Sequence, residues 1–326
     1  MAVIVLVAAW CVAVSFCRRL ATSSVKKFAQ VAIPDPVTVG QATCPVPVKN
    51  HTLVIYNRLG KCGSSSTKNV LSVLSNQNQF QLDMSTRYSL QLADRLNDPK
   101  LVHALEASAA GRNALYINHV HYFGDVYDIS PTSPRPAYIQ IVRQPIARVI
   151  SQYHFLTNPR QGKYYRQNIA RLKREAGFET TPAVVSSINA CVAKALHPEK
   201  CERTNEMTKY FCGHARECSD PGSKEALTTA VVNLREYTFV GLLEEFQTTF
   251  AMLEKMLPAF FEGASAIAIP HSNSGVRSET TTNVTVETIE KLREWNANDI
   301  ALYDLIVERF QREVKACLGS NSSESQ

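Results

Sequence analysis

The chain has 326 residues, of which 45% are hydrophobic and 20% are charged, and this composition excludes a mainly disordered chain. The net charge of +6 is moderate but unevenly distributed, because the stretch from Asn158 to Glu175 holds six basic residues and one acidic residue. Such a stretch indicates either a polyanionic partner, such as nucleic acid or an acidic polysaccharide, or a solvated helix face.

An uncharged apolar run from Ala2 to Cys17 opens the chain, and two arginines follow it. Its length fits a signal anchor or the apolar core of a signal peptide, and either one directs the rest of the chain into the secretory pathway. The arginines stand after the run, whereas positive charges normally stay on the cytoplasmic side. Residues 1–19 are therefore predicted to be an anchor or signal peptide, and the proline-containing segment 20–49 a stem or linker.

Four cysteines cluster in the second half of the chain, at Cys191, Cys201, Cys212 and Cys218. In a lumenal protein, two close pairs favour the disulfides Cys191–Cys201 and Cys212–Cys218, although four cysteines allow three pairings. A zinc site is the rival interpretation, but the spacings are wider than a CxxC pair, and no metal is predicted. Three sequons fit the same compartment as N-glycosylation signals: Asn50, Asn283 and Asn321.

Strand and helix patterns alternate along the rest of the chain. The apolar run at residues 51–58 is typical of a strand buried on both faces, and a helix is predicted from about Thr67 to Leu74. Further strands are predicted at residues 114–123, 137–145 and 237–245, helices after the last two, and one long helix at about 286–316. This alternation predicts an α/β domain over residues 50–318, a three-layer arrangement with a parallel sheet flanked by helices, followed by a disordered tail at 319–326.

The loop after the first predicted strand, in YNRLGKCGSSSTKN, carries Lys61 among glycines and serines. Backbone N–H groups at the start of a helix collect around anions, and the lysine adds a positive charge. A nucleotide P-loop requires a glycine where this chain has Ile55 and a serine or threonine where it has Cys62. The loop therefore predicts a phosphate-like ligand that is held without a metal ion.

Four segments together resemble one known family. YNRLGKCGSSS resembles the 5′-phosphosulfate loop of the glycosaminoglycan 2-O-sulfotransferases, and IVRQPIARVISQY is similar to their 3′-phosphate motif, with Arg143 and Ser151. NHVHYF resembles the segment with the catalytic histidine, and YFCGHAREC resembles part of the disulfide-bearing C-terminal half. The resemblance covers about residues 51–315 in the family's order, and GKCGS and HVH look closer to the uronyl 2-sulfotransferases of chondroitin and dermatan sulfate than to the heparan sulfate enzymes.

The resemblance implies a P-loop-like sulfotransferase fold and a reaction. A sulfuryl group would pass from 3′-phosphoadenosine 5′-phosphosulfate (PAPS) to the 2-hydroxyl of a uronic acid in a glycosaminoglycan, with no metal and no covalent enzyme intermediate. It also implies a single-pass type II protein of the Golgi membrane with a lumenal catalytic domain, a polysaccharide partner rather than nucleic acid, and a homotrimer.

The resemblance also assigns roles to individual residues. His119 is predicted to take the hydroxyl proton, and Lys61 to stabilise the leaving phosphate, because a neutral imidazole and a fixed ammonium suit these tasks. The predicted donor contacts are Lys61, Cys62, Gly63, Ser64, Ser65, Ser66, Arg143, Ser151 and Arg277. The acceptor contacts are predicted from the residues themselves: Arg58 at the end of the first strand, for which the donor is the alternative, His121, and three cations of the basic stretch, Arg160, Lys163 and Arg166. Because His119 and His121 alternate on a predicted strand, we expect them to point to opposite faces.

Two other functions compete with this one. A lumenal kinase or NTPase would also use a lysine loop, but the two departures from the P-loop pattern argue against it. A glycan-binding protein without activity would use the basic stretch alone, and the intact set of predicted catalytic and donor residues argues against that.

Overall fold

A parallel β-sheet organises the chain. The computed structural model describes residue 44 and residues 52–84, 111–124, 135–176, 187–194, 201–267 and 283–319. Within these ranges five strands form one sheet in the order β2-β3-β1-β4-β5, and every neighbouring pair is parallel. The strands are β1 (Leu53–Asn57), β2 (Gln81–Met84), β3 (Ala114–Asn118), β4 (Ala137–Val142) and β5 (Tyr237–Leu242).

Helices flank this sheet, and all the described residues belong to one compact unit, Ala42–Gln326. The helices that connect and follow the first four strands are α1 (Ser64–Gln77), α2 (Pro145–Thr157), α3 (Lys163–Ala176), α4 (Ile188–Lys194), α5 (Glu206–Cys212) and α6 (Lys224–Leu234). Those after β5 are α7 (Phe246–Met256), α8 (Pro258–Phe261), α9 (Val286–Trp295) and α10 (Ala297–Leu318). The predicted α/β class with a parallel sheet between helices is confirmed.

The buried strands form where the sequence predicts them. Every residue of β1, β3 and β4 is buried, which matches the continuous apolar runs of strands covered on both faces. On α2, the side chains of Ile146, Val149, Ile150 and Tyr153 line one face and pack into a core cluster, as their helical spacing predicts.

Two elements differ from the prediction. The edge strand β2 was not predicted, because its sequence QLDM is short, only half-buried and not apolar enough to give a strand pattern. The prediction of a single long C-terminal helix is wrong, since the chain forms two helices, α9 and α10, with a break at Asn296. The buried Asn296 side chain accepts a hydrogen bond from the Asn205 N–H (3.1 Å) and donates one to the Leu292 carbonyl (2.8 Å).

The described residues contain three disulfides. Cys191 is joined to Cys201 and Cys212 to Cys218, the pairs that the spacing favours, and a third bond joins Cys44 to Cys317, for which the sequence suggested no partner. The third bond ties the start of the described chain to the end of α10 across 273 positions, so it closes the largest loop of the three.

Several predicted features lie outside the described residues: the apolar segment 1–19, the stem 20–49 apart from Cys44, the tail after Gly319, Arg277, Asn50 and Asn321. Asn283 lies within them and is exposed just before α9. In the described ranges, we find no helix with both the length and the apolar character needed to cross a membrane.

Candidate active site

The anion loop lies at the carboxyl end of β1, at the centre of the sheet. The strands adjacent to β1 on its two sides are β3 and β4, and the chain after each of them reaches the same edge. In open α/β sheets ligands bind at this edge, where the strand order reverses. The sheet therefore brings together the loop after β1, the histidines after β3 and Arg143 after β4.

The backbone of the loop is shaped for an anion. Lys61 and Gly63 have positive φ angles of 68° and 78°, and α1 begins directly after them at Ser64, three residues before the predicted start. The first turn of an α-helix leaves its N–H groups without intrahelical acceptors, and its positive dipole end attracts negative charge.

The Ser64 hydroxyl independently fits an anion at the loop. Its oxygen is buried and has no hydrogen-bond partner among the residues that the structure describes. A buried hydroxyl without a partner is costly, and a phosphate or sulfate oxygen in the loop would satisfy it. Ser65 beside it is exposed, Ser66 is half-buried, and the first turn of α1 therefore fits an anion.

Lys61 is held over the loop by an aromatic ring. Its Nζ lies 4.3 Å from the centre of the Phe155 ring on α2, a cation–π contact that fixes the flexible side chain. Burial, and then the charge of Arg143, lower the pKa of Lys61. Burial and the charge of Arg143 both disfavour the charged form of Lys61. An anion bound between the two cations would stabilise that charged form.

Arg143 extends from the end of β4 to the same loop. Its Nη1 donates to the Lys61 carbonyl at 3.5 Å. Gln144 follows it and caps α2, since its side-chain oxygen accepts from the Ala147 N–H at 2.7 Å. Ser151 lies half-buried farther along α2. Arg143 and Ser151 therefore stand at the beginning and in the middle of one segment beside the loop.

Cys62, the free cysteine among those described, is buried under the loop. Burial raises the pKa of its thiol to about 12. The side chain is therefore a neutral thiol that packs below the anion site, and of Cys62 only its main chain is suited to an anionic ligand.

His119 lies beside the loop. A Cβ placed on Gly60 would be 3.9 Å from His119 Cε1 and 3.7 Å from the Gln152 side-chain oxygen, so the loop passes between the histidine and α2. The His119 N–H donates to the Asn118 side chain at 2.8 Å. The predicted base and the predicted anion site are thus neighbours.

The expectation that His119 and His121 alternate on a strand is wrong. The strand β3 ends at Asn118, so both histidines belong to the following irregular segment, where period-two alternation does not apply. Both contact Tyr210: its hydroxyl lies 3.5 Å from His119 Nδ1, and its ring lies 5.1 Å from the ring of His121. His121 is only 8% exposed and also packs against His214, at 5.3 Å between ring centres.

Both histidines are neutral at neutral pH. Burial, followed by the positive charge of Arg58 and more weakly that of Lys68, lowers the pKa of His119 to about 3, against a small opposing effect from a hydrogen bond with the Arg58 backbone. Burial and the charges of His214, Lys209 and Arg203 lower the pKa of His121 to about 3. A neutral imidazole can accept a proton, and anionic substrates beside it would raise its basicity.

The predicted acceptor residues fall into two groups. Arg58 is 3% exposed, and its N–H donates to the Asn118 carbonyl at 2.9 Å, so it lies at the base of the histidine segment. The exposed cations Arg160, Lys163 and Arg166 lie on the short helical turn before α3 and on the first turn of α3. The Tyr164 ring of α3 lies 6.1 Å from Phe155, so the basic helix begins next to the aromatic ring under Lys61.

The site contains residues that sequence reasoning missed. Tyr210 belongs to the predicted disulfide-bearing segment YFCGHAREC, and Phe155 and Lys68 carry no local signal. Arg148 is fully buried on α2, 3.8 Å from the Glu206 carboxylate. These contacts join positions far apart in the chain, so only the tertiary structure reveals them. In the described part of the chain, no three His, Cys, Asp or Glu side chains are grouped as metal ligands would be.

Comparison with known proteins agrees with this arrangement. The model of a family described as the sulfotransferase family matches residues 46–305. The chain belongs to the sulfotransferase family. The sulfotransferase is 31% identical over 272 residues to heparin sulfate O-sulfotransferase of Drosophila melanogaster, with 81% of this chain and 73% of the relative covered. It is 30% identical to heparan sulfate 2-O-sulfotransferase 1 of Gallus gallus over 81% of this chain and 72% of the relative, and 30% identical to the Homo sapiens protein of the same name over 79% and 70%.

Proposed function

We propose that the protein transfers a sulfuryl group from PAPS to the 2-hydroxyl of a uronic acid in a glycosaminoglycan. The observation that carries the proposal is the anion loop at Gly60–Ser64 placed directly against the neutral imidazole of His119. The names of the relatives support uronic acid 2-O-sulfation, since they are heparan sulfate 2-O-sulfotransferases.

The residues of the loop fit the donor. The N–H groups of the first turn of α1, the unsatisfied hydroxyl of Ser64 and the ammonium of Lys61 would hold its 5′-phosphosulfate. Arg143 and Ser151 would hold the 3′-phosphate, because a guanidinium offers a fork of donors to phosphate oxygens. Arg277, predicted to cover the adenosine, stays a prediction.

Side chains of this protein would take the proton, stabilise the leaving group and bind the acceptor. The donor supplies a sulfur centre that forms a bond to the acceptor oxygen as its bond to the phosphate oxygen breaks. His119 takes the proton of the attacking hydroxyl, and Lys61 stabilises the negative charge that develops on the leaving phosphate oxygen. Arg58 would orient the uronic acid carboxylate, and the exposed cations of α3 would bind the sulfated chain on either side.

The site offers two candidates for the acceptor chain. The relatives' names favour heparan sulfate, whereas the Gly60-Lys61-Cys62 loop and the His119-Val120-His121 segment favour chondroitin or dermatan sulfate by resemblance. The same protein preparation should be assayed with radiolabelled donor on desulfated heparan, chondroitin and dermatan chains. Disaccharide analysis of the products identifies the acceptor. No transfer to any of the three chains would refute the proposal.

A companion measurement separates an enzyme from a glycan-binding protein. Calorimetry with the desulfated donor product, 3′-phosphoadenosine 5′-phosphate (PAP), should show binding by the wild type and weaker binding by Lys61→Ala. A purely glycan-binding protein should bind the polysaccharide and not the nucleotide.

We also propose that the enzyme acts in the Golgi lumen as a membrane-anchored type II protein and assembles as a homotrimer. Three disulfides support an oxidising compartment. Fluorescence localisation of the full chain and sedimentation of the purified protein test the two parts separately, and a reduced cytosolic protein or a monomer would contradict them.

A further inference from the structure

Tyr210 contacts both histidines of the site, although it lies in a different part of the chain. Its hydroxyl is 3.5 Å from His119 Nδ1, and its ring meets the His121 ring edge-on at 5.1 Å. We infer that Tyr210 is a positioning residue, whose hydroxyl oxygen accepts a hydrogen bond from the Nδ1–H of His119 so that the acceptor's proton is taken at Nε2. This inference rests on the proposed role of His119 as the base.

Helix α5 gives Tyr210 a fixed place relative to the histidine segment. The Tyr210 carbonyl accepts a hydrogen bond from the Tyr122 N–H at 2.8 Å. At the end of the helix, Gly213 has a φ of 90°, and a Cβ there would lie 2.6 Å from the Tyr122 carbonyl oxygen. Only glycine allows this approach, so α5 and the segment after β3 are packed backbone to backbone.

The end of α5 is itself secured. Asn233 of α6 donates from its side chain to the carbonyls of Phe211 and Cys212, at 3.0 and 2.9 Å. The disulfide from Cys212 to Cys218 starts at the last residue of the helix. Tyr210 therefore has a rigid support, which a residue needs if it is to orient another side chain.

The hydroxyl of Tyr210 is suited to orient the imidazole rather than to exchange protons with it. Burial raises the pKa of Tyr210 well above its usual value, so the phenol stays neutral. The charges that act on His119 are those of Arg58 and Lys68, and those that act on His121 are those of His214, Lys209 and Arg203. The charges that act on Tyr210 belong to Glu206, Arg148, Arg203 and Arg58. His119 also makes a hydrogen bond with the Arg58 backbone. Beside it, a neutral partner at Nδ1 can fix the ring orientation without adding to these charges.

The test compares Tyr210→Phe with a matched control, Tyr153→Phe. Both variants remove one hydroxyl from a buried tyrosine, but the Tyr153 hydroxyl donates to the Ser187 carbonyl (3.3 Å), and its ring lies in the core under α2. We expect Tyr210→Phe to lower kcat about 3- to 10-fold, the range expected for one neutral hydrogen bond. The KM for the donor and the calorimetric Kd for PAP should not change, and Tyr153→Phe should keep the wild-type kcat.

A second measurement does not depend on turnover. The ¹⁵N shifts of the His119 ring nitrogens should show the ring proton mainly on Nδ1 in the wild type and in Tyr153→Phe, and a mixture of tautomers in Tyr210→Phe. A wild-type ring that carries its proton mainly on Nε2, or that populates both tautomers equally, would overturn the inference even if Tyr210→Phe does not fold.

The outcomes separate the inference from the proposed function. If His119→Ala is inactive while Tyr210→Phe has wild-type kcat and ¹⁵N shifts, the inference about Tyr210 fails and the proposed function stands. If His119→Ala retains turnover, the proposed base is wrong. A Tyr210→Phe variant that loses donor affinity at unchanged kcat also overturns the positioning role.

Discussion

Gly63 is the residue on which the shape of the anion loop depends most directly. Its φ of 78° is disfavoured for any L side chain, and a Cβ would lie 2.5 Å from Leu243 Cδ1 and 3.4 Å from Phe246 Cε2. Gly63→Ala combines a backbone cost of about 1–2 kcal/mol with an overpacking cost of about 1–3 kcal/mol. We expect the free energy of unfolding to fall by about 2–5 kcal/mol, the sum of these two effects.

Urea unfolding measures this loss, and Gly111→Ala provides a matched control. Gly111 has nearly the same φ, 75°, but nothing lies within 4 Å of a Cβ there, so only the backbone cost applies. The difference between the two unfolding costs therefore measures the overpacking against Leu243 and Phe246. Adding Leu243→Ala to Gly63→Ala should relieve part of that overpacking and recover part of the lost stability. Gly63→Ala should also weaken PAP binding in calorimetry, whereas Gly111→Ala should not. Equal unfolding costs for the two variants would refute this reasoning.

Three further predictions concern charged and titrating groups. Lys61→Ala should lower kcat by roughly 10²–10³-fold, as for the loss of one donor to a developing anion, and Phe155→Leu should lower it less, because the ammonium remains but loses its ring contact. Folding stability should fall as the pH drops below about 6.5, since His119 and His121 bind protons in the unfolded chain but not in the folded one; between pH 7.5 and 5.5 the loss is about 3 kcal/mol. Arg148→Met should lower the free energy of unfolding by about 3–5 kcal/mol, because it removes the buried cation that faces Glu206 and the buried Asp299.

Each of these predictions has an outcome that contradicts it. Initial-rate assays in which Lys61→Ala keeps wild-type kcat would remove Lys61 from the site. For the pH effect, chemical unfolding of His119→Gln/His121→Gln should give a flatter curve than the wild type, and parallel curves would assign the loss to other groups. For the Arg148–Glu206 pair, the additional change Glu206→Gln should cost less in Arg148→Met than in the wild type, because Glu206 then keeps only its exposed partner Arg203. Equal costs in the two backgrounds would show that Arg148 and Glu206 do not interact.

The candidate site was partly predictable because some of its chemistry is local. The spacing of Lys61 and the serines after it predicts an anion-binding loop. Arg143 and Ser151 lie in one strand–helix unit, so their motif is also local. The position of His119 and His121 after β3, and not on it, was not predictable, because the end of β3 depends on the pairing of neighbouring strands. The break at Asn296 escaped the sequence for a similar reason, since its hydrogen bond with Asn205 joins positions 91 residues apart.

The sequence by itself determined the α/β class and the buried strands, and it predicted an anionic ligand, because hydrophobic period and loop chemistry act over a few neighbouring residues. Only the tertiary structure decided which side chains surround the anion loop and the base. Tyr210, Phe155 and Arg148 reach the site through packing between helices and loops that are distant in the chain, and burial there sets the pKa of His119. Burial is a property of the assembled core, so no stretch of sequence contains it.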